Sequence, residues 1–497
     1  MKTMKKIQYS LLLFLSILTL GACTKNFDKI NTDPNNPTSA PATNLLAFSI
    51  QDFGAHLWDS WGDIDEPESY SGQIAKIQYI DESRYQFRSG TLENMWTYLY
   101  RELKSLQVVI NTAQANENTS LEAVATTIQS YIWQVATDRW RNIPYTGALA
   151  ADSGKLTPIY DKQEDIYPSL LNKLKAANDL FNNPSASANV GEGDLLFDGD
   201  VDKWQRFCNS IRLRMAIRIS NVDPSLAKST IETIMGDSKN NPVIEDNDDN
   251  AFLNWPGAGT TTILTSESWY SGLVLGSRLN NYAVSSNLVD TLKKLEDPRL
   301  AVYANPVLEE KNDIVYRGST IGLSGTTAPG GVEHYSFIGD FYGASATGYT
   351  PFMRAAEIQF ILAEAAQKGW SVSVSAKDAY NKGIDLSLAE NKVSDSKYKD
   401  GDDVKWNGDI KRIYLQKWIA LFKDGHEAWA ESRRTDVPLL APSPASPYPG
   451  HTRPPFRYPY PASESRLNAA NSKEYTSKVT DNYWGEQMWW DTRKGVK

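Results

Sequence analysis

The chain has 497 residues and a formal charge of −9, with 15 Trp and 25 Tyr. That length holds one large or several small domains, and the acidic balance argues against a nucleic-acid partner. With only two cysteines, Cys23 and Cys208, disulfides do not staple this fold.

The N-terminal residues read as a signal sequence. Lys2, Lys5 and Lys6 form a positive n-region, and Leu11 to Leu20 is an apolar run too short to span a bilayer, which takes about 20 apolar residues. It ends in Leu20-Gly21-Ala22-Cys23, which resembles the bacterial lipobox, so residues 1–22 are expected to be removed and Cys23 acylated. Loss of the three signal lysines takes the charge to −12. Residues 23–44, with Asn31-Thr32-Asp33-Pro34-Asn35-Asn36-Pro37, carry turn chemistry without periodicity and read as a tether.

From Leu45 the pattern is mainly helical. Helical spacing over 92–113 and 121–139 is separated by a polar turn, with Thr119 or Ser120 as the expected N-cap. Helices are also predicted over Lys162–Leu180 and over Val201–Ser220, where Trp204, Cys208, Ile211 and Met215 share one stripe. Residues 221–351 are rich in Gly, Ser, Thr, Asn and Asp, and only Ser286–Leu295 is clearly helical there. Periodicity returns at Phe352, with Ala355, Ile358, Leu362 and Ala365 on one face and Gly369 as C′ residue. Ala376–Ala389 and Lys411–Arg433 follow as helices, and 435–497 is expected to wrap irregularly over the surface. The pattern is that of a mainly α fold with antiparallel helix pairs around a loop-rich mid-chain insertion.

Several constellations fail as catalytic or metal sites. Glu357 and Glu364 lie seven residues apart on one helix, roughly 10 Å, and do not converge as a glycosidase pair must; salt bridges to basic residues such as Arg354 are expected. His426-Glu427 lacks a second histidine at position 430. Asp198-Gly199-Asp200-Val201-Asp202 lacks the remaining calcium-loop ligands and is expected to cap the helix at Trp204. No cofactor or metal is expected. Trp96, Trp133, Trp140, Trp204, Trp418 and Trp429 fall in helices and are assigned to the core. Two aromatic groups fall in loops: Trp58, Trp61, Tyr70 and Tyr79, interleaved with Asp59, Asp63, Asp65 and Gln73; and Trp255, Trp269, Tyr270, Tyr282, Tyr335, Phe341, Tyr342 and Tyr349. Rings presented in loops suit the apolar C–H faces of a sugar, with polar neighbours for its hydroxyls.

Ordered motifs along the mature chain resemble the SusD/RagB family: Phe27-Asp28 with Asn31-Thr32-Asp33-Pro34-Asn35; Ile143-Pro144-Tyr145 with Pro158, Tyr160-Asp161 and Ile166-Tyr167; and Trp204 with Asn209-Ser210 and Arg212-Leu213-Arg214. The same holds for Phe352-Met353-Arg354-Ala355-Ala356-Glu357 through Ala363-Glu364-Ala365-Ala366. Gln416-Lys417-Trp418-Ile419-Ala420-Leu421-Phe422 follows, with Glu427-Ala428-Trp429 and Arg433-Arg434-Thr435, then Arg457-Tyr458-Pro459-Tyr460-Pro461 and Trp489-Trp490-Asp491. The resemblance implies a tetratricopeptide-like fold, a lipid anchor at Cys23 and an outer-membrane location facing the cell surface. It implies capture of an oligosaccharide for a SusC-like TonB-dependent transporter, without catalysis. A peptide-binding member of the same fold, a glycan hydrolase and a purely structural lid are the rival readings.

Overall fold

The structure, a computed structural model, describes residues 40–257, 265–310, 313–479 and 484–497. The expected signal sequence, Cys23 and most of the expected tether lie outside the described residues. The principal helices are α1 (Ala42–Leu57), α2 (Ser89–Ala115), α3 (Thr119–Trp140), α4 (Gln163–Asn182), α5 (Val201–Arg218), α6 (Pro224–Gly236) and α7 (Ser286–Lys294). Beyond the insertion come α8 (Ala355–Gln367), α9 (Ala376–Glu390), α10 (Ile410–Ala420) and α11 (Gly425–Thr435). The fold is mainly helical, as the periodicity predicts, and of the tetratricopeptide-like kind.

Each helix from α1 to α5 packs on the next, α8 packs on α9 and α10, and α5 touches α8, which joins the two helical portions. Short polar turns with side-chain caps set the register. Asn118, rather than the expected Thr119 or Ser120, caps α3 by accepting a hydrogen bond from Leu121 N at 3.1 Å. Asp200 caps α5 through the amides of Asp202 and Lys203, as its sequence context predicts. Trp96, Trp133, Trp140, Trp204, Trp418 and Trp429 are all core residues. The Cys208 thiol is buried and free, and burial pushes it up to about 11, so it is an inert core group.

Several boundaries differ from the pattern reading. α1 starts at Ala42, three residues ahead of the helical pattern predicted from Leu45. Pro224–Gly236 is a 13-residue helix in the segment read as loops, short helices and a few short strands; Asp223 caps it and Pro224 occupies its first turn. The predicted Lys411–Arg433 helix is two helices, because Lys423 takes a left-handed φ of +70° and Asp424 then caps α11. Tyr349–Met353 is a strand preceding α8, and the C-terminal wrap contains the short helices Ala462–Leu467 and Ala469–Thr476.

Two small antiparallel ribbons secure the insertion. β1 (Ile74–Lys76) pairs with β3 (Tyr282–Val284), placing Lys76 opposite Tyr282. β2 (Ala251–Asn254) pairs with β4 (Tyr349–Met353). Beneath them, buried ions bind α5, α8, α10 and α11 together. Arg214 makes a two-pronged contact to Glu357 at 2.7 and 2.5 Å, and Arg434 does the same to Glu364 at 2.8 and 2.6 Å. Lys417 lies 3.3 Å from Glu431. Both carboxylates considered as a catalytic pair are therefore structural ions, held by Arg214 and Arg434, while Arg354 pairs with Glu390 at 2.9 Å.

Candidate ligand-binding cleft

The turn after α1 builds an open aromatic site. Asp59 accepts hydrogen bonds from Trp61 N at 2.8 Å and Gly62 N at 2.5 Å. This cap starts a π-helical turn over Ser60–Ile64, a rare conformation found frequently at functional sites. The turn displays the Trp61 ring, which is 40% exposed, beside a cleft of about 670 Å³, a volume within the range of small-ligand sites. The other walls are His56 from α1, Phe87 and Arg88 from the loop ahead of α2, and Asn94 and Tyr98 from α2. His56 stacks on Tyr98 with ring centroids 4.1 Å apart. The lining thus alternates ring faces with an acid, a guanidinium, an amide and hydroxyls. Burial pushes the half-buried Asp59 carboxyl up to about 6, against the opposing pull of the Gly62 and Trp61 amides. It still presents an acceptor at neutral pH.

A second π-helical turn, Ser271–Leu275, lies against the first. A Cβ on Gly272 would come 2.7 Å from Ser60 Oγ, so only glycine permits this approach. The insertion then delivers Arg278 beneath the cleft, where its guanidinium lies 4.1 Å from the Trp61 ring centroid and donates to Ser60 Oγ at 2.6 Å.

The remaining aromatics are distributed otherwise than expected. Trp58, Tyr70, Trp269 and Tyr282 are fully buried, Tyr342 is 2% exposed and Tyr335 is 8% exposed. Their rings serve packing: Trp58 stacks on Phe352 at 5.1 Å, Tyr70 meets Trp429 edge-on, and Trp269 meets Phe422 edge-on. Four of the polar edges are satisfied inside, with Trp269 donating to Asp63, Tyr282 to Asp65, Tyr335 to Pro329 O and Tyr342 to Asn391. Trp255 is likewise core and donates to Thr350. The expectation that these loop residues face a ligand is thereby corrected: the loops themselves pack onto the helices and contribute their rings to the core. Tyr79 stands out at 64% exposure with a left-handed φ of +52°, a backbone outlier for a bulky residue. Tyr270 is half-buried. Phe341, Tyr342 and Tyr349 line a second cleft of about 500 Å³, but Tyr349 is stacked on Phe252 at 4.2 Å and Phe341 lies under Lys392. Those rings are occupied with one another.

The pattern reading missed His56, Phe87, Arg88, Asn94, Tyr98 and Arg278. A signal for Tyr98 exists, since it lies off the apolar stripe formed by Leu92, Met95, Leu99 and Leu103. Among the described residues no group of His, Cys, Asp and Glu is placed to hold a metal. A small void of about 20 Å³ lined by Tyr131, Asp138, Arg139 and His426 has room for water alone.

The family model for SusD-like proteins, described as starch-binding and associating with the outer membrane, matches residues 34–461. A solved chitin-binding protein is 26% identical and superposes with a TM-score of 0.78, covering 91% of this chain and 100% of its own. A SusD homologue from Bacteroides uniformis is 23% identical with a TM-score of 0.79, covering 92% and 100%. A chitin-binding SusD homologue from Flavobacterium johnsoniae is 23% identical with a TM-score of 0.77, covering 91% and 98%. A search of curated proteins gives no match.

Proposed function

This chain belongs to the SusD-like family, and on that footing we propose that it captures an oligosaccharide at the Trp61 cleft for a SusC-like TonB-dependent transporter. The observation that carries the reading is the exposed Trp61 ring set in a cleft with Asp59, Asn94 and Arg88 around it. The ring offers a platform for the C–H face of a sugar, and the polar groups bond its hydroxyls. Tyr79 is also displayed to solvent, but it is not among the residues lining the Trp61 cleft. No covalent step is assigned, because Glu357 and Glu364 are consumed in buried ion pairs.

Titration calorimetry with chitohexaose and maltoheptaose tests this. One of the two is expected to bind with little dependence on ionic strength, since an uncharged glycan gains nothing from the chain's negative field. Trp61→Ala is expected to weaken binding roughly two- to tenfold, for a stacking contribution of about 0.5–1.5 kcal/mol. A steep loss of affinity with salt would favour a charged ligand such as a peptide.

The reading also places residues 1–22 as signal peptide, 23–44 as tether and 45–497 as one SusD-like domain anchored to the outer membrane, facing the cell surface. No helix among the described residues is long and apolar enough to cross a membrane. Cys23→Ala is therefore expected to release the protein from membranes and abolish labelling by radioactive palmitate. A mutant that stays in the membrane fraction with its label would overturn the anchor.

A further inference from the structure

Beneath Trp61 a line of alternating charges runs through the protein and returns to the same ring. Arg278, 4.1 Å from the Trp61 centroid, donates to Asp65 at 3.1 Å. Asp65 lies 3.2 Å from the Lys76 ammonium on β1. Lys76 reaches Glu82 at 2.6 Å, and Glu82 accepts from Arg88. The Arg88 guanidinium lies 5.2 Å from the Trp61 centroid. Asp65, Lys76 and Glu82 are each no more than 2% exposed. Tyr282, opposite Lys76 in the ribbon, fixes Asp65 by donating to it at 2.6 Å.

Burying three such charges away from the core ions is costly unless each is paired. Here the pairing has a geometric result: both cations that touch Trp61 are held from behind by one continuous network. A ring contacted by two fixed guanidiniums cannot turn freely about χ1 and χ2, and cation–π contact strengthens where water is partly excluded. The side-chain entropy of ordering the platform is then paid before a ligand arrives.

We propose that Lys76 and Glu82 are positioning residues that preset the Trp61 platform through Arg278 and Arg88. They touch no ligand. Their influence on affinity rests on Trp61 being the ligand platform, whereas their influence on the Trp61 ring does not.

The test uses the full chain labelled with 5-fluorotryptophan, the Trp61 resonance being assigned by its loss in Trp61→Phe. Wild type is expected to give one narrow Trp61 line. Glu82→Gln and Lys76→Met should shift and broaden it, and each should weaken chitohexaose or maltoheptaose binding by two- to tenfold, no more than Trp61→Ala does. Lys76→Arg, which keeps the charge, should restore both line shape and affinity. Should the buried variants fail to fold, Arg88→Met removes the exposed end of the line alone and is expected to shift the same resonance. A Trp61 line unchanged in every folded variant overturns the proposal, as does weakened binding with an unchanged line. If wild type binds neither glycan while the Trp61 line responds as expected, the positioning stands and the ligand assignment falls.

Discussion

Trp418→Ala is expected to lower the free energy of unfolding by about 3–5 kcal/mol, whereas Trp61→Ala should change it by less than about 1 kcal/mol. Trp418 lies in α10 with no exposed surface, and its indole N–H donates to Ser71 O at 2.8 Å. Gln73 returns the contact by donating to Trp418 O at 2.6 Å. Truncation leaves a cavity and an orphaned carbonyl at the junction of α10 with the segment that leads into β1. Trp61 faces solvent on one side and gives up only part of its area and its cation–π contacts. Paired thermal and denaturant melts decide the matter. Equal, large losses would place Trp61 in the core and remove it from the ligand site.

Asp424→Asn should stabilise the protein above pH 7, by at most about 4 kcal/mol, and change little below pH 4. Asp424 is buried between α10 and α11, and its charge adds to the burial that holds the Asp63 and Glu68 carboxyls above their ordinary range. Burial pushes Asp424 up to about 7, with Glu427 and Glu357 adding to the rise and Arg214 and Arg354 opposing it. The sign follows from proton binding. Between pH 4 and 7 the unfolded chain releases this proton while the folded chain keeps it. Asp424 therefore supports full stability below about pH 4, and that support is lost as pH rises to about 7. Asparagine has the same shape, can still cap α11 and carries no charge, so the variant should gain on wild type through that window. Unfolding free energies measured for both proteins from pH 4 to 8 check this. Parallel curves would show that Asp424 does not titrate within the window.

The helices were legible where an apolar stripe recurs against polar neighbours. Trp204, Cys208, Ile211 and Met215 announce α5, and all four are fully buried. α6 carries the same message more quietly in Ala227, Ile231 and Ile234, which the polar composition around them obscured. The ligand site was harder to read for a physical reason. A loop is ordinarily exposed, so a loop tryptophan invites a surface assignment. Here the loops fold back over the helical layers, and Trp58 and Trp269 find Phe352 and Phe422 rather than solvent. Which loop aromatics stay outside depends on contacts between segments more than 200 residues apart, such as Arg278 with Ser60. Local pattern carries no record of those contacts. Trp61 and Tyr79 keep the exposure expected of them, while the walls contributed by Phe87, Arg88 and Tyr98 become a site only once α2 is packed on α1.

The measurement that bears most directly on this account is a crystal structure with the tighter-binding of chitohexaose and maltoheptaose in place. The account predicts a sugar ring stacked on the exposed face of Trp61, with Asp59, Arg88 or Asn94 within hydrogen-bonding distance of its hydroxyls and no change in the Lys76–Glu82 pair beneath. A ligand seated instead in the Phe341 cleft, with Trp61 untouched, would contradict it.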